Sequence, residues 1–170
     1  ELKARFGDKA SSVLDIDLRS GNRDKHISSI DMGMAGAGFI AEGPLGGGGS
    51  YLLSARKSFL DLIVSNMGLT AIPRYYNTQA KITRTIGQNH TLLWNTVYGA
   101  DAIRIEPGED VEDEDEHVAQ TSDFFVSGLT VKSLFGRNLY GEGVLSHVRN
   151  HWSVDVWEKG KTRSDPFYNN

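Results

Sequence analysis

The sequence predicts an all-β fold, an antiparallel up-and-down transmembrane β-barrel of which the 170 residues supply about six strands. The first observation is that apolar and polar residues alternate over several long stretches, which is the period of a strand with two unlike faces. The second is a composition of 19 glycines and 4 prolines, typical of twisted strands and tight turns. The third is that short and long connections alternate, as they do in membrane-spanning barrels.

Composition excludes several classes of protein. The hydrophobic share is 39% and the mean hydropathy is −0.36, and the longest apolar stretch, Phe59–Val64, is interrupted by Asp61. No stretch of the sequence is therefore suited to cross a membrane as a helix. The absence of cysteine excludes disulfides, zinc fingers and thiol catalysis within these residues. The net charge of −4, without a cluster of Lys and Arg, excludes a nucleic-acid partner.

The first third of the chain contains two predicted extended stretches and one turn. Ala10–Arg19 alternates and is predicted to be a strand. His26–Glu42 is predicted to be one long extended stretch, with mildly apolar residues on both faces. Gly43–Gly49 is predicted to be a turn, because glycine accepts positive φ at almost every position. It lacks the Gly-Lys-Ser/Thr ending of a phosphate-binding loop.

The middle of the chain shows the clearest alternation. Ser50–Asp61 is predicted to be a strand with an apolar and a polar side, and the irregular stretch Leu62–Arg74 is predicted to be a loop. A strand through Tyr76–Thr83 then reaches a short turn at Gly87–His90. Thr91–Ile103 is predicted to return, with one neutral face that carries the aromatic residues Trp94 and Tyr98.

The last third begins with a like-charge block. Glu109–Glu116 cannot bury itself, so Glu106–Gln120 is predicted to be a solvated loop. Asp123–Leu134 and Gly143–Trp157 are predicted to be strands joined by a short turn near Gly136. The last strand has valines and Trp152 on one side and histidines, Arg149 and Asp155 on the other.

A barrel is favoured over a sandwich because the connections are sorted by length. The short turns are predicted at one end and the long loops at the other, and the strands reach the roughly 9 to 11 residues that cross a bilayer when tilted. Six strands cannot close a membrane barrel, since the smallest has about eight. The sequence therefore predicts a piece of a longer chain. The start at Glu1 without a signal peptide indicates either that maturation removes a leader or that the chain is cut from something longer.

The two faces of the predicted strands define two sets of candidate functional side chains. The first set projects into the lumen, where a plug or cargo could meet it, although a generic wet network would look the same: Arg56, Asn77, Gln79, Lys81, Asn95, Arg149 and Asp155. The second set faces lipid or forms interfacial girdles, unless these are ordinary core aromatics: Tyr51, Phe59, Tyr76, Trp94, Tyr98 and Trp152. Lys57, on the apolar side of its strand, is predicted to lie near an interface.

No pattern predicts catalysis, a metal site or a cofactor. The acidic block lacks the spacing and the turn glycine of a calcium loop. His147 and His151 would lie about 13 Å apart on a strand, too far to share one metal ion. No Gly-x-Ser-x-Gly elbow is present. The chain is therefore predicted not to be an enzyme.

Several motifs resemble a known family. Ala4–Ile16, a Phe-Gly followed by Ser-Ser-Val-Leu-Asp-Ile, resembles the closing strand of the plug domain of TonB-dependent outer-membrane transporters. Phe39–Leu45 followed by Gly49–Asp61 resembles the first barrel hairpin of these receptors, and Ile72–Tyr76 and Leu93–Gly99 continue the resemblance. The resemblance covers most of the chain, and its motifs are structural, so none identifies a substrate.

The resemblance implies a domain division and a function. Residues 1–22 would be the C-terminal end of the plug, and residues 23–170 the N-terminal part of a barrel, usually of about 22 strands. Such a receptor lies in the outer membrane of a Gram-negative bacterium and imports a scarce nutrient of the siderophore, cobalamin or glycan class. Its partners would be outer-membrane lipid, the imported ligand, and the TonB complex, which contacts a segment upstream of Glu1.

Two other hypotheses stay open. A soluble β-rich ligand-binding domain would bury Leu92, Trp94 and Tyr98 within this same chain. Another outer-membrane barrel, such as a porin or an adhesin, would lack a plug. An Ala10–Leu18 segment packed apart from the barrel sheet would favour the transporter over a porin.

Overall fold

The computed structural model describes residues 16–60, 71–105, 116–158 and 161–163. These residues form one antiparallel sheet in which every strand pairs with the next strand of the chain. The strands are β1 Ile27–Gly33, β2 Gly36–Pro44, β3 Ser50–Ser58, β4 Ala71–Ile86, β5 His90–Ile105, β6 Glu116–Phe135, β7 Leu139–Glu158 and β8 Lys161–Arg163. The predicted all-β, up-and-down architecture is confirmed, and the sheet is open over the described residues.

The prediction of one extended stretch over His26–Glu42 is wrong. The chain reverses there, because Gly33 pairs with Gly36 and the two residues between them form a tight connection from β1 to β2. The glycines and alanines of this stretch give both faces a similar character, so alternation could not mark the reversal. The count of about six strands is therefore low, and the short β8 raises it further, to eight in the described part of the chain.

The two predicted long loops are shorter than expected. β4 begins at Ala71 and β6 begins at Glu116, so the last residues of both predicted loops are strand. Pairing explains the difference, because Ala71 lies opposite Ile105, which lies opposite Val118. A neighbouring strand supplies backbone hydrogen-bond partners, and this pairing extends a strand beyond what the local amino-acid composition predicts. The acidic block up to residue 115 lies outside the described residues.

Three short turns lie together at one end of the sheet, which we call the short-turn end. Gly46, Gly47 and Gly48 have φ between 56° and 75° in the β2–β3 turn, and Gly87 and Gly136 have φ of 63° and 70° in the two later turns. These left-handed conformations are those that glycine adopts without strain. The opposite, long-connection end also holds the tight β1–β2 connection. The predicted sorting of short and long connections is therefore wrong at that end.

Pairing defines two faces that continue across β1–β7. One pairing row runs from Glu42 through Leu52, Lys81 and Asn95 to Gly128, and we call the side chains of this row and its alternates the polar face. The neighbouring row lies on the opposite, apolar face and consists of Tyr51, Ile82, Trp94, Leu129 and Leu145. Successive residues of each strand alternate between the two faces.

Burial is concentrated on the polar face near the short-turn end. Ser50, Thr83 and Leu52 are 0%, 2% and 7% exposed, and Leu52 is the one buried hydrophobic side chain among the described residues. The apolar face stays open: Trp94 is 38% exposed and Leu53 is 45% exposed. The most buried side chains of the described sheet therefore lie on its polar face. Among the described residues no helix has the length and apolar character needed to cross a membrane.

The strand predicted at Ala10–Arg19 lies largely outside the described residues. Its last four residues, Ile16–Arg19, are described, and none of them belongs to the sheet. They lead into the segment that covers the polar face.

Candidate functional site

The segment Leu18–Asn22, which we call the docked segment, lies across the polar face and is held by one carboxylate. Arg19 donates through Nη1 and Nη2 to the two oxygens of Glu42, at 2.5 Å and 3.0 Å. The backbone N–H of Asn22 donates to Oε2 of Glu42 at 2.9 Å. Glu42 is a single charge in the otherwise neutral β2, and its side chain is 11% exposed. Glu42 therefore holds the docked segment at two positions, Arg19 and Asn22.

Further contacts of the docked segment reach β3 and β4. The hydroxyl of Ser20 lies 3.4 Å from that of Thr83, and Lys81 donates to the carbonyl oxygen of Leu18. Gly21 lies so close to the carbonyl of Tyr51 that a Cβ at this position would overlap it. Only glycine fits a backbone-to-backbone approach of this kind. The segment is therefore in direct contact with the sheet along its length.

The chain then turns from the polar face into β1. The side-chain oxygen of Asn22 accepts hydrogen bonds from the N–H groups of Asp24 and Lys25, at 2.8 Å and 3.0 Å, which is the local turn that asparagine stabilises. His26 Nδ1 lies 3.0 Å from the hydroxyl of Tyr51 on the apolar face. His26, the residue before β1, is thus anchored on the apolar face, and the preceding segment is anchored on the polar face.

The ion pair of the docked segment is partly shielded from water. The side chain of Arg19 is 58% exposed, whereas that of Glu42 is 11% exposed. Hydrogen bonding to Glu42 raises the pKa of Arg19 above its ordinary value. An arginine guanidinium is charged throughout the ordinary pH range, so acid breaks this contact by protonating Glu42.

Five of the seven residues predicted to share a lumen do share the polar face. They are Arg56, Asn77, Gln79, Lys81 and Asn95. Arg56 donates to Asp31 at 2.9 Å on this face, where both side chains are about half exposed. Lys81 contacts the docked segment directly.

The other two residues of that set, Arg149 and Asp155, lie on the opposite face. Arg149 pairs with Phe125, which pairs with Tyr98 on the apolar face, and Asp155 is an even number of residues further along β7. Arg149 donates to Asp123 at 3.2 Å on that face. The prediction that these two residues project to the same side as Arg56 and Lys81 is therefore corrected.

The aromatic set divides in the same way. Tyr51, Tyr76, Trp94 and Tyr98 share the apolar face, where the rings of Tyr76 and Tyr98 lie 5.3 Å apart. Trp152 pairs with Ser122, which pairs with Asp101, and so lies on the polar face. Its assignment to the girdle set is corrected.

Two further predicted positions lie at the end of β3. Phe59 follows the last residue of β3 and has no paired position in the sheet. Lys57 lies on the apolar face and pairs with Tyr76, near the long-connection end of the sheet. Nothing in the pairing conflicts with the prediction that Lys57 lies near an interface.

The errors on β7 have one physical cause. Alternation along a strand shows that two faces differ, but pairing decides which face of one strand continues into which face of the next. On β7 the valine side continues into the polar face, since Val148 pairs with Val126 and Val126 pairs with Val97. The prediction assumed that the apolar sides of all strands lie on one common face, and this assumption is wrong for this part of the sheet.

Sequence reasoning also missed the residues that hold the docked segment. Arg19, Ser20, Glu42 and Thr83 were not predicted to be functional. One available signal was Glu42, a lone carboxylate in a neutral strand whose partner had to lie elsewhere in the chain. Arg19 itself gave no signal, because an arginine beside a predicted turn is common on protein surfaces.

The described residues show no arrangement for metal chemistry. Among residues 16–60, 71–105, 116–158 and 161–163, no three His, Asp or Glu side chains come together as metal ligands would. Comparison with known proteins identifies no relative: no protein-family model, curated protein or solved structure matches the chain.

Proposed function

We propose that this chain is part of a TonB-dependent outer-membrane receptor that imports a scarce nutrient of the siderophore, cobalamin or glycan class. In this proposal the sheet is the first section of a membrane-spanning barrel in a Gram-negative outer membrane. The polar face lines the lumen and the apolar face meets lipid. Residues 1–22 are the end of a plug, and residues 23–170 begin the barrel.

The observation that carries the proposal is the position of the docked segment. A plug fills the lumen of such a barrel, so the chain that leaves the plug must cross the lumen face before it enters the first strand. Leu18–Asn22 crosses the polar face and is held there by Glu42 and Lys81. A barrel without a plug, such as a porin, gives no reason for an N-terminal segment to be fixed on this face.

The dimensions of the apolar face support a membrane location. On β4 the apolar-face residues between Arg74 and Arg84 are all uncharged, and on β5 the same holds from Leu92 to Ala102. Ten residues extend about 33 Å along a strand, and a tilt of about 40° reduces this to about 25 Å in height. This is about the height of the apolar band of outer-membrane barrels.

The exposure of the aromatic residues disfavours the soluble-domain hypothesis. A soluble domain would bury Leu92, Trp94 and Tyr98, yet none of the three is buried, and Trp94 is 38% exposed. An open apolar face of this extent on a soluble protein is expected to aggregate. Lipid satisfies such a face without any further protein.

Two buried acceptors on the polar face support a filled lumen. Oγ of Ser50 and Oδ1 of Asn95 are buried, and neither has a hydrogen-bond partner among the described residues. Buried polar atoms of this kind usually find a partner in protein or ordered water. In the proposed barrel, plug residues or lumen water would supply these hydrogen-bond partners. Arg56, Asn77 and Gln79 lie on the same face beyond the docked segment, and plug or cargo would meet them there.

The proposal requires strands beyond these eight. β1 has no partner on its outer side, and neither has most of β7 among the described residues. Unpaired backbone groups cannot stand in lipid, so a membrane barrel must close. Further strands of the same polypeptide would complete it, usually to about 22 in this class of receptor.

Uptake assays test the proposed function. The gene is inactivated, and uptake of a ferric siderophore, of cyanocobalamin and of an oligosaccharide is measured in strains with and without TonB. We expect one of these uptakes to fall to the level of the strain without TonB and to return with the intact gene. A protein that fractionates as soluble, or an uptake that persists without TonB, would contradict the proposal.

Cysteine labelling tests the faces separately from the cargo. The chain has no native cysteine, so single cysteines at Gln79 and Ala80 report neighbouring positions on opposite faces. A spin label at Gln79→Cys should be reached by a water-soluble relaxation agent, and one at Ala80→Cys by oxygen dissolved in lipid. Equal access of the water-soluble agent to both positions would exclude a membrane location for β4.

A further inference from the structure

Two large aromatic side chains of β6 and β7 are exposed on the polar face. Phe124 and Trp152 are each 39% exposed, on the face that lines the lumen in the proposed barrel. Each belongs to a pairing row that crosses β5, β6 and β7, and the two rows are adjacent on this face. We call the six residues of these rows the aromatic patch: Gly99, Asp101, Ser122, Phe124, Asn150 and Trp152.

The sheet itself holds the ring of Phe124 in place. The ring occupies the space that a Cβ at Gly99 would need, and Gly99 is buried. Because Gly99 has no side chain, the ring lies against the backbone of β5, and an aromatic ring placed in this way fills the gap that a glycine leaves in a sheet. The exposed part of the ring therefore presents an ordered apolar surface to the lumen.

Polar groups with unused hydrogen-bonding capacity surround the two rings. Ser122 donates to Oδ1 of Asp101 at 2.7 Å, which leaves Oδ2 of Asp101 available as an acceptor. Asn150 lies directly across from Phe124, and its side-chain amide has no hydrogen-bond partner among the described residues. The indole N–H of Trp152 likewise has no acceptor in the described part of the chain. The patch therefore offers both donors and an acceptor beside its rings.

The charge of the aromatic patch disfavours an anionic ligand. Asp101 is its one charged residue. Among the described residues, the cations nearest to it on this face are Arg56 on β3 and Lys81 on β4. Both are already engaged, since Arg56 donates to Asp31 and Lys81 donates to the docked segment. A ferric complex with negative charge would meet a carboxylate here without a free cation to offset it.

The chemistry of the aromatic patch suits a neutral sugar. The face of an aromatic ring is negative, and it attracts the C–H groups on one side of a pyranose ring, which the sugar oxygens polarise positively. Sugar hydroxyls donate to a carboxylate in charge-assisted hydrogen bonds, and sugar oxygens accept from N–H groups. The patch extends over two strand spacings and two residues, about 10 Å by 7 Å. This area matches one or two pyranose rings.

We propose that the aromatic patch binds a neutral oligosaccharide, which stacks on Trp152 and Phe124 and donates hydroxyl hydrogen bonds to Asp101. This inference rests on the proposed function, because it names the class of cargo that the same lumen takes. Trp152 is the 13th residue after Leu139, which places it about 33 Å above the short-turn end at a tilt of about 40°. The patch therefore lies near the outer mouth of the lumen, which cargo reaches first.

Trp94 supplies a matched control for Trp152. The two tryptophans are 38% and 39% exposed, but Trp94 lies on the apolar face. Leucine at either position removes the ring and keeps an apolar side chain. A loss of binding that came from weaker packing of the sheet should appear in both variants, whereas a loss of stacking should appear in Trp152→Leu alone. Trp152→Phe keeps an aromatic face and should restore binding.

The experiment measures binding to the full-length receptor in detergent by isothermal titration calorimetry. The probes are neutral hexasaccharides of glucose, galactose, mannose and xylose, together with ferric enterobactin and cyanocobalamin. We expect a hexasaccharide to bind the wild-type protein, and Trp152→Leu to weaken its binding about 10- to 30-fold. Trp152→Phe should weaken it less than about threefold and Trp94→Leu less than about twofold. Asp101→Asn, which still accepts from Ser122, should weaken it about tenfold.

Each other result contradicts a different statement. If no hexasaccharide binds, the saccharide cargo is overturned, and TonB-dependent uptake of a ferric siderophore or cobalamin would still leave the proposed receptor standing. Equal hexasaccharide binding by the wild-type protein and Trp152→Leu overturns the site at the aromatic patch, and a lower free energy of unfolding in that variant would then indicate that the plug packs there. Absence of heat-modifiable migration of the wild-type protein on gels would contradict the proposed function itself.

Discussion

β4 and β7 are both long strands of one sheet, yet their faces behave differently. On β4 the polar face is polar and the apolar face is uncharged from Tyr76 to Ile82. On β7 this division into a polar and an uncharged face holds only near the β6–β7 turn, where Leu145 lies on the apolar face. Beyond it, His147, Arg149 and His151 lie on the apolar face and Val148 and Trp152 on the polar face.

Length explains why the two strands differ. β4 has 16 residues and β7 has 20 residues. Twenty residues extend about 66 Å along a strand and rise about 50 Å at a tilt of about 40°, well beyond a hydrocarbon layer of about 30 Å. In the proposed barrel the outer half of β7 therefore stands in water on its outward side. The environment of a face, and so its composition, changes along a single strand.

A charge in the middle of the β4 band should give the largest effect. Ala80→Arg places a charge at the centre of the apolar face of β4 and should lower the free energy of unfolding by about 2 to 4 kcal/mol. The measurement is urea unfolding of the protein in lipid vesicles, together with the folded amount in the outer membrane. Gln79→Arg on the other face and Ser153→Arg on the outer half of β7 should each change stability much less. Equal losses for all three would remove the distinction between the strands.

Gly99 on β5 should tolerate a side chain poorly, because the ring of Phe124 occupies the space that its Cβ would need. Gly99→Ala should lower the free energy of unfolding by about 1 to 3 kcal/mol, as overpacking does. The matched control is Gly143→Ala on β7, where a Cβ meets nothing within 4 Å. It should be neutral or slightly stabilising, since alanine has less freedom to lose than glycine. Added to Gly99→Ala, Phe124→Ala should remove the overlap, and a loss at Gly99 that this second change leaves intact would show that the ring is not its cause.

The docked segment should depend on the carboxylate of Glu42. Glu42→Gln removes the charge that binds Arg19 and should cost about 1 to 2 kcal/mol, a value reduced because Arg19 is 58% exposed. Limited proteolysis near Arg19 and Arg23 is the second readout, and cleavage there should become faster. If cleavage rates stay the same, the docked segment is held by its other contacts.

The exposed pair on the same face should matter least. Asp31 and Arg56 are 54% and 52% exposed, so Asp31→Asn should cost about 0.2 to 1 kcal/mol in the same unfolding measurement. High salt should reduce even this difference, because exposed ion pairs are screened. A cost as large as that of Glu42→Gln would mean that burial does not separate the two arginine–carboxylate pairs.

Alternation and turn composition were enough to predict the strand-rich fold, the three glycine turns and the shared face of Arg56, Gln79 and Lys81. These features are local, because a strand's period and a turn's positive φ depend on neighbouring residues. The β1–β2 reversal was not predictable in the same way. Its glycines and alanines give no contrast between faces, so only pairing shows where the chain turns.

What the sequence by itself determined is that most strands have two unlike sides and where they turn at the short-turn end. The tertiary structure alone decided which sides join into one face, that Arg149, Asp155 and Trp152 lie opposite to their predicted positions, and that Glu42 receives Arg19 from 23 residues away. The physical reason is that register and long-range ion pairs depend on residues far apart in the chain. A shift of one residue in pairing exchanges the faces of a whole strand, and no local pattern records that choice.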